Sequence, residues 1–177
     1  MDQGSSIAKC RGAGEPLRVS RFRPEQAVDV AGWQYPPPYD MYSSTEALSG
    51  RLLVDEGDGL GYFVLTLLGS DEALGFCCYG PEARVINEPE PLPGTLDVGG
   101  GLRPDAVGRG IASRYMPSVL EHAARLHHPK WFRVAVAAFN ERSVALCTTS
   151  GFVRSSSFAG PDEREFLELY RTRVSFQ

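Results

Sequence analysis

The chain has 177 residues, 42% of them apolar and 23% charged, enough for one domain with a full core and too few for two. A net charge of −4 argues against duplex nucleic acid or an anionic membrane as the main partner, and leaves a cationic small molecule or a basic peptide open. No apolar run approaches the roughly 20 residues of a membrane span, and Lys9 and Arg11 are followed by no apolar segment of a secretory signal.

Residues 1 to 15, rich in Gly and Ser, are expected to form a disordered leader, and residues 16 to 177 the folded domain. Leu17 to Phe22 alternates apolar and polar side chains, as a half-buried strand does. Pro24-Glu25 opens a helix to about Ala31, with proline and an acid in its first turn. From Trp33 to Tyr42, three prolines forbid both helix and ladder, so an extended loop is expected to carry Trp33, Tyr35, Tyr39 and Tyr42. A short helix over Ser44 to Ser49, capped by Ser43 or Ser44, should follow.

Gly61 to Leu68 and Ala73 to Tyr79 read as two strands of a hairpin, and proline-rich Pro81 to Thr95 as a surface loop. Leu96 to Leu102 is a strand that runs out through a glycine-rich turn into a long helix, Gly110 to His127. That helix has an apolar stripe of Ile111, Tyr115, Val119, Ala123 and Leu126, and Pro117 should bend or break it. Trp131 to Ala138 is an apolar strand. Asn140 caps a short helix ending near Gly151, and Phe152 to Phe158 and Arg164 to Arg171 close the chain as strands. The order implies a mixed α/β domain.

Cys10, Cys77, Cys78 and Cys147 have no C-x-x-C spacing and no histidine placed to complete a zinc site, so reduced thiols in a cytoplasmic protein are expected. His122, His127 and His128 lie on or just past one helix and give no reason to expect a metal.

The turn from Gly99 to Ala112 is the stretch with chemistry in it. A glycine-rich turn entering a helix leaves backbone N–H groups free beside the positive end of the helix dipole, which suits phosphate. Neither the dinucleotide pattern nor the P-loop fits: Pro104 stands where the first needs glycine, and no Lys-Ser/Thr follows the glycines. Val107-Gly108-Arg109-Gly110-Ile111-Ala112 instead resembles the acetyl-CoA loop of the GNAT acetyltransferase superfamily, Gln/Arg-x-x-Gly-x-Gly/Ala, with Val107 in place of Gln or Arg. Asn140 to Phe152 resembles that family's Asn-x-x-Ala/Ser…Tyr-x-x-x-Gly-Phe segment, with Cys147 where Tyr is common.

The resemblance, over roughly residues 17 to 171, implies a bent mixed sheet with helices on both faces and an acetyl-CoA loop between strand 4 and the long helix. It implies an acetyl-CoA-dependent N-acetyltransferase acting by direct attack, with no metal. Leu102, Arg103, Pro104 and Val107 to Ala112 would hold the cofactor, together with Asn140 and Ser143. Asp97 is the one carboxylate on its strand and is expected either to take the proton from the acceptor ammonium or to bond a nearby backbone N–H. Cys147 is either the acid that reprotonates the departing thiolate or a small buried residue. Gly99-Gly100-Gly101 is either a bulge that splays the strand from Trp131–Ala138 or a loose strand end. The four rings from Trp33 to Tyr42 either line the acceptor pocket or pack into the core. The acceptor is a small-molecule amine or a peptide amine, and the chain a monomer or homodimer. A cofactor-binding module without efficient chemistry is the competing class.

Overall fold

The computed structural model describes residues 16–43 and 46–173. The expected leader, with Cys10, lies outside them, as does Ser44. Seven strands form one sheet: β1 (Leu17–Ser20), β2 (Gly61–Leu67), β3 (Gly75–Tyr79), β4 (Thr95–Leu102), β5 (Trp131–Ala137), β6 (Val153–Ala159) and β7 (Glu165–Thr172). Their order is β1-β2-β3-β4-β5-β7-β6, antiparallel throughout except for the parallel pair β4–β5. A parallel neighbour needs a crossover, and α3 (Ala112–His127) supplies it.

Helices cover both faces. Phe63 and Leu65 of β2 and Cys77 and Tyr79 of β3 point into a core shared with α3, which buries Tyr115, Val119 and Ala123 there. Tyr62, Val64 and Cys78 alternate to the other face, where Ala27 and Val30 of α1 (Pro24–Ala31) and Leu52 of α2 (Glu46–Leu52) enclose a second core. Burial on both faces is why the middle of β2 reads as a continuous apolar run rather than an alternation. A fourth helix, α4 (Glu141–Thr149), joins β5 to β6.

Three local expectations change. Ser43 does not cap α2: its hydroxyl accepts from the Tyr35 N–H at 2.9 Å and ties the two ends of the aromatic loop together. The helix α3 runs through Pro117 without interruption. Leu126 is 46% exposed rather than part of the buried stripe. The last turn of α3 lies against the loop at Gly59, whose carbonyl meets His127 Nε2 at 2.9 Å, and Met116, Leu120 and Ala124 widen the buried face instead.

Candidate active site

The sheet is forked. β4 and β5 pair at only three positions, Thr95↔Trp131, Leu96↔Phe132 and Asp97↔Arg133. Beyond Asp97, β4 stays with β3 as far as Leu102, and beyond Arg133, β5 stays with β7 as far as Ala137. Val98–Leu102 and Val134–Ala137 therefore face a gap with no strand between them among the described residues. Their backbone groups on that side are available to an extended ligand, as a sheet edge is.

The glycine run lies along this gap, and no residue is inserted in it. The β3–β4 register continues without a slip from Tyr79↔Val98 to Gly75↔Leu102, so the run is neither a loose end nor a bulge with an extra residue. Gly100 has φ +150, and a Cβ there would lie 2.2 Å from Tyr115 Oη and 2.3 Å from the Phe76 carbonyl oxygen. The Tyr115 hydroxyl, rising from α3, fills that space and donates to the Phe76 carbonyl at 2.7 Å. Only glycine admits it.

Where β4 ends, the chain enters the turn before α3. Gly108 and Gly110 have φ of +80 and +76, and a Cβ at either would meet nothing within 4 Å. Here glycine serves backbone conformation and leaves the surface bare. Among the described residues, the N–H groups of Gly108, Gly110, Ile111 and Ala112 donate to no backbone carbonyl. They stand at the N-terminus of a 16-residue helix with no acid in its first turn, which fits a diphosphate. Arg109 is exposed beside them. Arg103 points elsewhere: its guanidinium pairs with Glu72 and Asp105, and its N–H donates to the Leu74 carbonyl at 2.9 Å.

Across the gap, Asn140 caps α4. Its Oδ1 accepts from the Ser143 N–H at 3.1 Å, and its Nδ2 donates to Tyr42 Oη at 3.3 Å. Cys147 is 3% exposed, and burial pushes its thiol up to about 12.

The aromatic loop bridges the fork. Tyr35 Oη donates to the Leu102 carbonyl at 2.7 Å, at the end of β4. Tyr39 and Tyr42 stand 6.0 and 6.3 Å from the Phe139 ring, at the end of β5. Arg142 of α4 lies 5.5 Å from the Tyr39 ring, and Arg164, from the turn between β6 and β7, lies 5.6 Å from the Phe139 ring. Trp33 does not join them. It is 6% exposed, in the second core against Phe76, with an unpartnered indole N–H.

At the vertex of the fork, Asp97 is 7% exposed. Its Oδ1 accepts from Arg133 Nε, and its Oδ2 lies 3.8 Å from Arg84 Nε. Its partners are thus arginine side chains rather than a backbone N–H. Glu72 and Glu82 are committed to Arg103 and Arg51.

Comparison with known proteins settles the family. Residues 17–153 match the model of the acetyltransferase (GNAT) domain. The chain belongs to the GNAT acetyltransferase family. It is an acetyltransferase. Solved structures share the fold. AAC(6')-Ib in complex with paromomycin and acetyl-CoA superimposes with TM-score 0.69 at 13% identity, over 90% of this chain and 94% of that one. A spermidine N-acetyltransferase chimera from Vibrio cholerae gives 0.67 at 14%, over 88% and 94%. A ribosomal-protein-S5-alanine acetyltransferase from Vibrio fischeri gives 0.63 at 16%, over 94% and 98%. No curated protein matches the chain in sequence.

In this acetyltransferase the structure brings Tyr35, Tyr39 and Tyr42 together with Leu102 and Asn140. It leaves Trp33 in the core and the Cys147 thiol shut in beneath α4. Leu102, expected to hold the cofactor, has its carbonyl bonded by Tyr35. Sequence reasoning passed over Phe139, Arg164 and Arg133. Only the last carried a signal, as the one charged residue in the apolar run Trp131–Ala138.

Proposed function

We propose that this acetyltransferase transfers the acetyl group to a primary amine of a small molecule, by direct attack of the amine in a ternary complex. The observation that carries the reading is the fork, open from Val98 to Leu102 and bridged by the aromatic loop. Acetyl-CoA supplies an activated acyl thioester. The Gly108–Ala112 amides and Arg109 bind its diphosphate. Val107, whose side chain does not enter the backbone cradle, leaves that contact intact. Leu102 to Pro104 and the Asn140–Ser143 turn flank the arm, and the Gly101 or Leu102 N–H polarises the carbonyl. Tyr35, Tyr39 and Tyr42 hold the acceptor. Trp33, from the core, acts only by supporting Phe76 beneath Gly101.

Asp97 takes the proton that the ammonium must lose before its nitrogen attacks. The oxygen that serves is Oδ2, since Arg133 holds Oδ1 and Arg84 Nε lies 3.8 Å from Oδ2. The proton reaching the departing thiolate comes from solvent, because a buried thiol pushed up to about 12 keeps its own. Measuring acetyl-CoA binding by calorimetry and CoA release over a panel of amines tests the reading. Turnover on a small amine supports it, and no detectable binding overturns it. Tight binding with no turnover on any amine would make the chain a cofactor-binding module.

A second reading, acetylation of a protein N-terminus or lysine, is favoured by the likeness to the ribosomal-protein-S5-alanine acetyltransferase along nearly the whole chain. Mass spectrometry of peptide and small-amine panels separates the two. The described cysteines Cys77, Cys78 and Cys147 are free thiols, which supports a cytoplasmic setting. No helix among the described residues is long and apolar enough to cross a membrane.

A further inference from the structure

Arg133 is fully buried, 0% exposed, on the β5 face opposite α3. Three carboxylates from three other parts of the chain converge on it. Asp97 of β4 bonds its Nε, Glu88 of the loop before β4 lies 3.3 Å from that atom, and Glu168 of β7 lies 3.1 Å from Nη1. Nη1 also donates to the Pro89 carbonyl at 2.6 Å. Glu168 is held in turn by Ser156 of β6 at 2.7 Å and by the Tyr170 hydroxyl at 3.2 Å. One guanidinium thus ties β4, β5, β7 and the Arg84–Gly94 loop, and through Glu168 it reaches β6.

Its place in the register matters as much as its burial. Asp97↔Arg133 is the last rung of the parallel pair, and the fork opens at the next residue. The rungs before it, Thr95↔Trp131 and Leu96↔Phe132, need no charge to hold them. A buried ion cluster is a poor source of stability, since well-packed apolar residues often do as well or better. An arginine with three acids, at the closed end of the cleft that an extended arm would fill, calls for a role that stability does not supply.

We propose that Arg133 is a positioning residue for acetyl transfer: it fixes the point where β4 and β5 part and holds the Asp97 carboxyl in place there. This rests on the reading that Asp97 takes the acceptor's proton. The charged and titratable groups around Asp97 are Arg133 on β5, Arg84 and Glu88 on the loop, and Glu168 with Tyr170 on β7. Without Arg133, the three buried carboxylates lose the one guanidinium that lies against them all, and Arg84 stays 3.8 Å from Asp97. Each then opposes the ionisation of the others, and burial already raises Glu88. The acidic limb of an activity that uses Asp97 as its base should therefore move to higher pH in a variant without Arg133.

The test is the pH profile of kcat/KM for the whole protein with acetyl-CoA and an accepted amine, beside a 13C NMR titration of the Asp97 carboxyl. Arg133→Met should move the acidic limb and the carboxyl midpoint up by about 1–3 pH units. Arg133→Lys, which restores the charge, should recover most of that shift. Glu168→Gln removes a like charge with Arg133 and Asp97 in place, and should move both downward. Thermal melting and acetyl-CoA calorimetry establish that each variant is folded, and if Arg133→Met is not, Arg133→Lys and Glu168→Gln decide.

A limb lost in Asp97→Asn but unmoved in the Arg133 and Glu168 variants overturns the positioning role and leaves Asp97 as the base. A limb that persists unchanged in Asp97→Asn removes Asp97 from the reaction and the proposal with it. Acetyl transfer, read independently as CoA release, would stand. If no amine is turned over, the carboxyl titration decides alone: a midpoint unmoved by Arg133→Met or Glu168→Gln overturns the proposal.

Discussion

The cradle before α3 and the fork beside it use glycine for opposite ends. At Gly108 and Gly110 a side chain would meet nothing within 4 Å, and the glycines serve a left-handed backbone that turns N–H groups outward. At Gly100 the missing side chain is replaced by a hydroxyl from another element, with Tyr115 Oη 2.2 Å from where the Cβ would be. The first arrangement is local and faces solvent. The second is assembled from β3, β4 and α3 and is buried. A ligand-binding turn can therefore tolerate what a fork cannot, and the two should fail differently when altered.

The largest effect should come at the cradle. Gly110→Glu places bulk, a strained φ and a negative charge against the diphosphate site. It should abolish acetyl-CoA binding in calorimetry while the melting temperature stays close to that of the parent protein. Gly100→Ala should do the reverse. Overpacking against Tyr115 and the Phe76 carbonyl should cost about 1–3 kcal/mol of stability in denaturant unfolding, partly relieved by adding Tyr115→Phe. If Gly100→Ala proves neutral, the two glycine sites are not distinct in kind.

Tyr35→Phe should have a smaller effect. Losing its bond to the Leu102 carbonyl should cost about 1 kcal/mol, read in melting, with a change in KM for the acceptor larger than that for acetyl-CoA. The smallest should be Cys147→Ala. With its thiol pushed up to about 12, Cys147 stays protonated through the working pH range, so kcat should remain within about threefold of the parent value. A loss of a hundredfold would make Cys147 the working acid and move the chemistry beneath α4.

Much of this was readable in the chain. Proline and an acid marked the start of α1, expected to run to about Ala31 and found at Pro24–Ala31, because helix starts are set by local backbone chemistry. The Asn140 cap, the Gly108–Gly110 turn and the place of Asp97 on β4 were legible for the same reason. Arg133 and Phe139 were not assigned. Their roles depend on partners 35 to 45 positions away for Arg133, and on Tyr39 and Tyr42, 100 and 97 positions away, for Phe139, distances over which no periodicity carries a signal.

By itself, then, the sequence determined the order of the elements, the glycine turn before α3 and the family. These rest on residues within a turn or two of one another, where φ, capping and hydrophobic spacing act directly. Only the tertiary structure decided where the sheet parts, which rings bridge it, and that Asp97 is shared with a buried arginine. Those outcomes are settled by packing between strands remote in sequence. Trp33 belongs to the core and Tyr35 to the fork, two residues apart in one loop, because folding gave one of them Phe76 to lie against and the other a carbonyl to bond.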